Sequence, residues 1–69
     1  MRISARNSFK GRISDIKRGA VMAQVTVDIG GGNRVLSAIF VDSVEDLGLT
    51  VGDEVIAIVK STDVIIARP

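Results

Sequence analysis

Apolar and polar residues alternate with a period of two along much of the chain, which is typical of β-strands. The alternation is strictest over residues 21–29. One face of that segment holds Val21, Ala23, Val25, Val27 and Ile29. A weaker alternation covers residues 9–16. The residues between these segments, 17–20, include a glycine suited to a tight position, so the two segments predict a β-hairpin.

Three more strands and one short helix are expected further along the chain. Residues 30–33 are Gly-Gly-Gly-Asn and predict a second turn, since Gly and Asn adopt positive φ at little cost. Further strands are expected at residues 34–41, 53–60 and 64–68. Five short strands with one helix between the third and the fourth predict an all-β fold, a five-stranded OB-like barrel. We expect residues 1–69 to form a single domain.

The expected helix, of one or two turns, covers residues 42–48. Either Asp42 or Ser43 can cap its first turn, and an acidic residue three positions further on fits a capping box. Gly48 is placed to end the helix.

The strands expected after residue 33 are apolar on both faces. In the segment 53–60, Val55, Ala57 and Val59 lie on one face, and Ile56 and Ile58 on the other. A barrel of this size has one interior, so the second apolar face needs cover. One interpretation is that another subunit covers this second face. The other is that the end of the strand packs under the helix of the same chain. The single core of so short a chain rarely supplies more than about 3–5 kcal/mol of folding free energy, which favours self-association.

Composition excludes several classes of protein. The 69 residues contain no His and no Cys, so disulfides, common zinc sites and Ser-His-Asp or Cys-His catalysis are ruled out. We expect no enzyme, no metal ligated directly by side chains, no membrane association and a cytoplasmic location. The net charge of +1 is not that of a protein that grips long stretches of nucleic-acid backbone, and no nucleic-acid partner is expected.

Two short segments could bind an anion. Residues 4–7 (Ser-Ala-Arg-Asn) and 60–62 (Lys-Ser-Thr) each offer a cation, a hydroxyl and backbone N–H groups. An oxyanion needs such donors with no competing carboxylate, and charge-assisted hydrogen bonds are the strong ones. Taken alone, both segments are also ordinary surface. The glycines at 30–32 match neither a dinucleotide fingerprint nor a P-loop, and the neighbouring acidic pairs, 45–46 and 53–54, point apart.

Landmarks spread over the whole chain resemble those of the molbindins, the small proteins of the molybdate-binding Mop domain. The matching segments are Ser4-Ala5-Arg6-Asn7, Lys10-Gly11, Gly31-Gly32-Asn33, Asp42 to Leu49 and Val59 to Val64. The resemblance implies a homohexamer, a trimer of dimers, that stores molybdate or tungstate between subunits and performs no reaction.

The resemblance also implies which residues bind the oxyanion. By position they are Ser4, Ala5 (through its backbone), Arg6, Lys60 and Ser61, with Ser43 supplied by a neighbouring subunit. The family has a second kind of oxyanion site, for which the turn at 17–20 is a candidate.

Two alternatives remain open from sequence. An OB-type barrel with several basic residues near its amino end could bind single-stranded nucleic acid, but such proteins stack bases on aromatic side chains, and this chain has only Phe9 and Phe40. A purely structural oligomerisation module would bind neither ligand.

Overall fold

One antiparallel sheet forms most of the molecule. The computed structural model describes all 69 residues. Its elements are β1 Asn7–Arg18, β2 Met22–Gly30, β3 Asn33–Phe40, α1 Val41–Leu47, β4 Glu54–Val59 and a 3₁₀ turn at Ser61–Asp63. The strand order is β3-β2-β1-β4. The fold is therefore all-β, an open, curled half-barrel of OB type, with α1 following β3 and preceding β4.

Strand β1 holds the two halves of the sheet together. Its first half, Asn7 to Arg12, pairs with β4, and its second half, Arg12 to Arg18, pairs with β2. A bulge between Ile13 and Asp15 shifts the register with β2, and such bulges bend a strand and increase its twist. This bend lets β1 pair with β4 through its first half and with β2 through its second half.

Gly11 lies where β1 changes partners, and a side chain does not fit there. A Cβ at this position would overlap the carbonyl oxygen of Asp28 and come within 2.7 Å of Cγ1 of Val27. Because a backbone carbonyl inside a ladder cannot move aside as a flexible side chain can, the close approach of β1 to β2 requires glycine.

We expect Gly11→Ala to lower the free energy of unfolding by about 1–3 kcal/mol through this overlap. Urea denaturation at one fixed protein concentration measures the change. Ser8→Ala, at an exposed position of the same strand, is the control and should leave the midpoint unchanged. A Gly11→Ala protein as stable as the wild type would contradict the close approach.

The core of the single chain is small. Only six residues are buried, and five of them are apolar: Ile13, Ala23, Val25, Val27 and Val44. Val44 brings α1 onto the inner face of the sheet, where it joins these strand residues in one cluster. Most of the apolar residues of the single chain are therefore only partly buried or exposed.

The helix begins without the capping box that the sequence suggests. Its N-cap is Phe40, in an extended conformation, and no side chain caps the first turn. Both Asp42 and Ser43 lie inside the helix, so neither can be its N-cap. The C-terminal end is as expected: Gly48 adopts the left-handed conformation with φ of 62°, and its N–H bonds back to the helix.

The structure has four strands where the sequence predicts five. The expected fifth strand, residues 64–68, joins no ladder and follows the 3₁₀ turn as an irregular segment. Ile65 and Ile66 are 92% and 86% exposed. Local pattern favours a strand here, but a strand also needs an edge to pair with, and this segment pairs with neither edge strand of its own chain.

An apolar groove runs along the open side of the half-barrel, between the edge strands β3 and β4. Its volume is about 300 Å³. Thirteen of the fourteen residues that line it are hydrophobic, and they include Val35, Ile39, Val55, Ala57 and Val59. β3 and β4 do not pair with each other, so the groove has unpaired backbone along both margins.

Candidate functional site

A polar pocket lies at the end of the β1–β4 ladder, where the chain enters β1 and leaves β4. Its volume is about 250 Å³. The residues that line it are Ser4, Ala5, Lys60, Ser61 and Thr62. At about 30 Å³ for each water in the liquid, the pocket has room for several water-sized groups, which is enough for the four oxygens of a tetrahedral anion.

Strand register brings the two pocket segments together. Asn7 and Val59 are the last paired residues of the β1–β4 ladder. Arg6 and Lys60 are the residues that come next on the two segments, just beyond this last pair. The 3₁₀ turn at Ser61–Asp63 then bends the chain. Two segments from opposite ends of the sequence therefore become the two walls of one pocket.

Both cations at this end of the ladder lack a carboxylate partner. The two ion pairs of the molecule are Arg12–Glu54, at 3.7 Å, and Arg18–Glu45, at 3.0 Å. Neither involves Arg6 or Lys60. Two positive charges without carboxylate partners at this end of the sheet favour a bound anion.

The remaining polar groups of the pocket include hydrogen-bond donors. The hydroxyls of Ser4, Ser61 and Thr62 can donate. The backbone N–H groups of Ser61 and Thr62 have no hydrogen-bond partner in the structure, as is usual at the start of a helical turn. No carboxylate lines the pocket. Such a set suits a fully deprotonated oxyanion, because every charged group is positive and N–H groups can only donate.

Four of the six residues assigned from the sequence line this pocket: Ser4, Ala5, Lys60 and Ser61. Arg6 is exposed beside it, between Ala5 and the first residue of β1. Ser43 is half-buried in α1, which contacts β2 and β3 of the same chain, and it does not line the pocket.

Two residues near the pocket belong to the segments named from sequence, 4–7 and 60–62, but were not among the six assigned binding residues. Thr62 lines the pocket, and its hydroxyl beside Lys60 and Ser61 was the available signal. Asn7 donates a hydrogen bond from Nδ2 to the carbonyl oxygen of Val59, at 3.3 Å. Only strand register reveals that contact, since the two residues are 52 positions apart.

In the turn at residues 17–20, proposed for a second site, some of the polar groups already make contacts within the chain. Strand β1 continues through Arg18, so the turn is shorter than expected. Gly19 donates its N–H to the carbonyl of Met22 at 2.7 Å, and Nη1 of Arg18 bonds to Oε1 of Glu45 at 3.0 Å. Lys17 alone keeps an unpaired charge there.

Comparison with known proteins identifies the family. The TOBE domain model matches residues 3–66. Molybdenum-pterin-binding protein 2 of Clostridium pasteurianum is 53% identical over 66 residues, which cover 96% of this chain and 97% of that protein. The chain belongs to the molbindin (Mop) group of the TOBE domain family. A probable molybdenum-pterin-binding protein of Haemophilus influenzae is 47% identical to this molbindin over 66 residues, which cover 96% of each chain.

Solved structures share the fold of this molbindin. MopII from Clostridium pasteurianum superimposes with a TM-score of 0.91 at 51% identity, covering 97% of this chain and 100% of that one. A molybdate-binding protein from Sporomusa ovata also gives 0.91, at 40% identity, with 99% and 100% covered. The cytoplasmic molybdate-binding protein ModG, with molybdate bound, gives 0.84 at 46% identity, and the match covers 88% of this chain and 43% of ModG. Neither helical segment of this molbindin has the length and apolar character needed to cross a membrane.

Proposed function

We propose that this protein binds molybdate or tungstate in the polar pocket and stores it in the cytoplasm without performing a reaction. One observation carries the proposal: Lys60 and several hydrogen-bond donors line one pocket at the end of the β1–β4 ladder, the unpaired Arg6 lies next to Ala5 in sequence, and no carboxylate lines the pocket. The relatives support it, since they are named as molybdenum-pterin-binding proteins and ModG has been solved with molybdate bound. ModG is also described as cytoplasmic.

Capture is electrostatic. Arg6 and Lys60 balance the charge of the dianion, and the hydroxyls of Ser4 and Ser61 donate to its oxygens. The backbone N–H of Ala5 adds a donor from the first wall. Hydrogen phosphate is disfavoured, because its proton finds no charged acceptor. Sulfate has the same charge as molybdate but is smaller, so only cavity size disfavours it, because a smaller anion contacts fewer of the donors at once. Molybdate and tungstate are nearly equal in size, and the pocket discriminates poorly between them.

The oxyanion itself fits the pocket better than a pterin does. The names of the relatives include a pterin, whose flat ring needs an apolar or aromatic wall. Ala5 is the one hydrophobic residue that lines the pocket, and the chain has no Trp and no Tyr. A small tetrahedral anion needs only the donors and positive charge that the pocket supplies.

Self-assembly completes the site. The protein forms a homohexamer, a trimer of dimers, in which a second copy covers the open pocket and contributes its Ser43. The apolar groove supports this proposal, because exposing an apolar surface and two unpaired strand edges to water is unfavourable, and a second copy would cover them. The exposed segment 64–68 forms the fifth strand when it pairs with an edge of a second copy.

The nucleic-acid alternative receives little support from the geometry. Phe9 lies in β1 and Phe40 ends β3, and strand β2 separates them in the sheet. The two rings therefore form no continuous platform for stacked bases. A shift of single-stranded DNA in a native gel that weakens with salt would favour that alternative over oxyanion binding.

Thermal unfolding with four anions tests the proposal. At about 100 times its dissociation constant, molybdate should add about 2.7 kcal/mol to the free energy of unfolding, a rise of roughly 10 °C or more in the melting temperature. Tungstate should match molybdate, and sulfate and phosphate at equal concentration should be much weaker. Equal shifts by all four anions would indicate nonspecific salt stabilisation and refute a selective pocket.

A further inference from the structure

Asn7 makes a hydrogen bond that sets it apart from the other polar residues near the pocket. Its half-buried side chain donates from Nδ2 to the carbonyl oxygen of Val59 at 3.3 Å. It is the one side-chain hydrogen bond that links the amino-terminal end of β1 to the carboxy-terminal end of β4. Val59 immediately precedes Lys60, and Asn7 immediately follows Arg6.

Both pocket walls depend on this point for their placement. Residues 1–6 precede the ladder and belong to no regular element, and the other wall leaves the ladder after Val59. Arg6 and Lys60 come directly after the last pair on the two segments, and neither has a carboxylate partner, so their like charges disfavour close approach of the walls. The Asn7 bond opposes separation of the walls at the last paired position.

The chemistry of the side chain suits this role. An amide donates a hydrogen bond without adding charge, whereas a carboxylate at the same place would repel an oxyanion. Asn7 does not line the pocket. Its effect on a ligand therefore acts through the position of Lys60 and Ser61.

We propose that Asn7 is a positioning residue: its bond to Val59 holds the two walls at the spacing at which one tetrahedral oxyanion contacts both. This inference rests on the proposed function. It adds that the affinity and the size selectivity of the pocket depend on a residue that does not touch the ligand.

Calorimetry with the full chain tests the inference, well below the melting temperature, with molybdate and sulfate as probes. Loss of one hydrogen bond in Asn7→Ala should weaken molybdate binding roughly five- to tenfold. The preference for molybdate over sulfate should also fall, because wall spacing sets cavity size. Asn7→Gln, which keeps the amide, should recover most of the affinity. Ser8→Ala, the exposed neighbour with no side-chain hydrogen bond, should bind as the wild type does.

Other outcomes overturn the inference. An Asn7→Ala protein with a lower melting temperature but wild-type affinity and selectivity would show a structural role alone. If Asn7→Ala does not fold, Asn7→Ser, whose shorter side chain cannot span the contact, replaces it under the same criteria. Molybdate binding by the wild type is measured first, because its absence would refute the proposed function itself.

Discussion

Lys60→Ala should weaken molybdate binding by about 2–5 kcal/mol, which is roughly 30-fold or more in the dissociation constant. Lys60 lines the pocket and has no carboxylate partner in the structure, so its charge is available to the ligand. Its removal leaves Arg6 as the only nearby cation for a dianion. Isothermal titration calorimetry at low ionic strength measures the loss, since salt screens such charges.

The same substitution should have little effect on the unliganded protein. Lys60 and Arg6 both lie just beyond the last pair of the ladder, and removing one of two like charges lowers the repulsion at this end of the sheet. The melting temperature without ligand should therefore stay the same or rise slightly, while affinity falls. Such a trade-off is expected where a residue serves binding at the expense of stability.

A matched control separates the local charge from net charge. Lys10→Ala removes one exposed lysine from the body of β1, where Ile56 is its cross-strand neighbour. It changes the net charge as Lys60→Ala does, yet should leave affinity nearly unchanged. Wild-type affinity in Lys60→Ala, or equal losses in both variants, would refute the assigned pocket.

The second large effect concerns assembly. Light scattering of the wild type should give a mass six times the 7.3 kDa of one chain. Ile65→Asp combined with Ile66→Asp should dissociate the assembly, because the two side chains are almost fully exposed in the single chain and would be covered by a second copy in the proposed assembly. Dissociated chains should also lose molybdate binding, since in the proposed assembly Ser43 of a second copy completes the pocket.

Val51→Asp is the control for that experiment. Val51 is an exposed apolar residue in the loop before β4, and it does not line the apolar groove. Its replacement should leave both mass and binding unchanged. A well-folded wild-type monomer that binds molybdate would contradict the shared site.

Residue patterns along the chain predicted most elements closely. The predicted strand 21–29 is Met22–Gly30 in the structure, and the predicted helix 42–48 is Val41–Leu47. The alternation of apolar and polar residues and the glycine at 48 are local signals. They can be read from the sequence of one segment, because the side chains on one face of each element point to the core. The capping prediction failed because the helix follows β3 without a break, so Phe40 takes the N-cap position that we assigned to a polar residue.

The sequence by itself determined the strand pattern, the absence of His and Cys chemistry, and the family resemblance from which the binding residues were assigned. Tertiary structure decided what these residues do together. Pairing of Asn7 with Val59 joins segments 52 positions apart, and no tight turn connects β1 to β4 to encode that pairing or its register. Tertiary structure also decided that residues 64–68 stay unpaired in the single chain, because a strand needs a sheet edge to pair with as well as a suitable residue pattern.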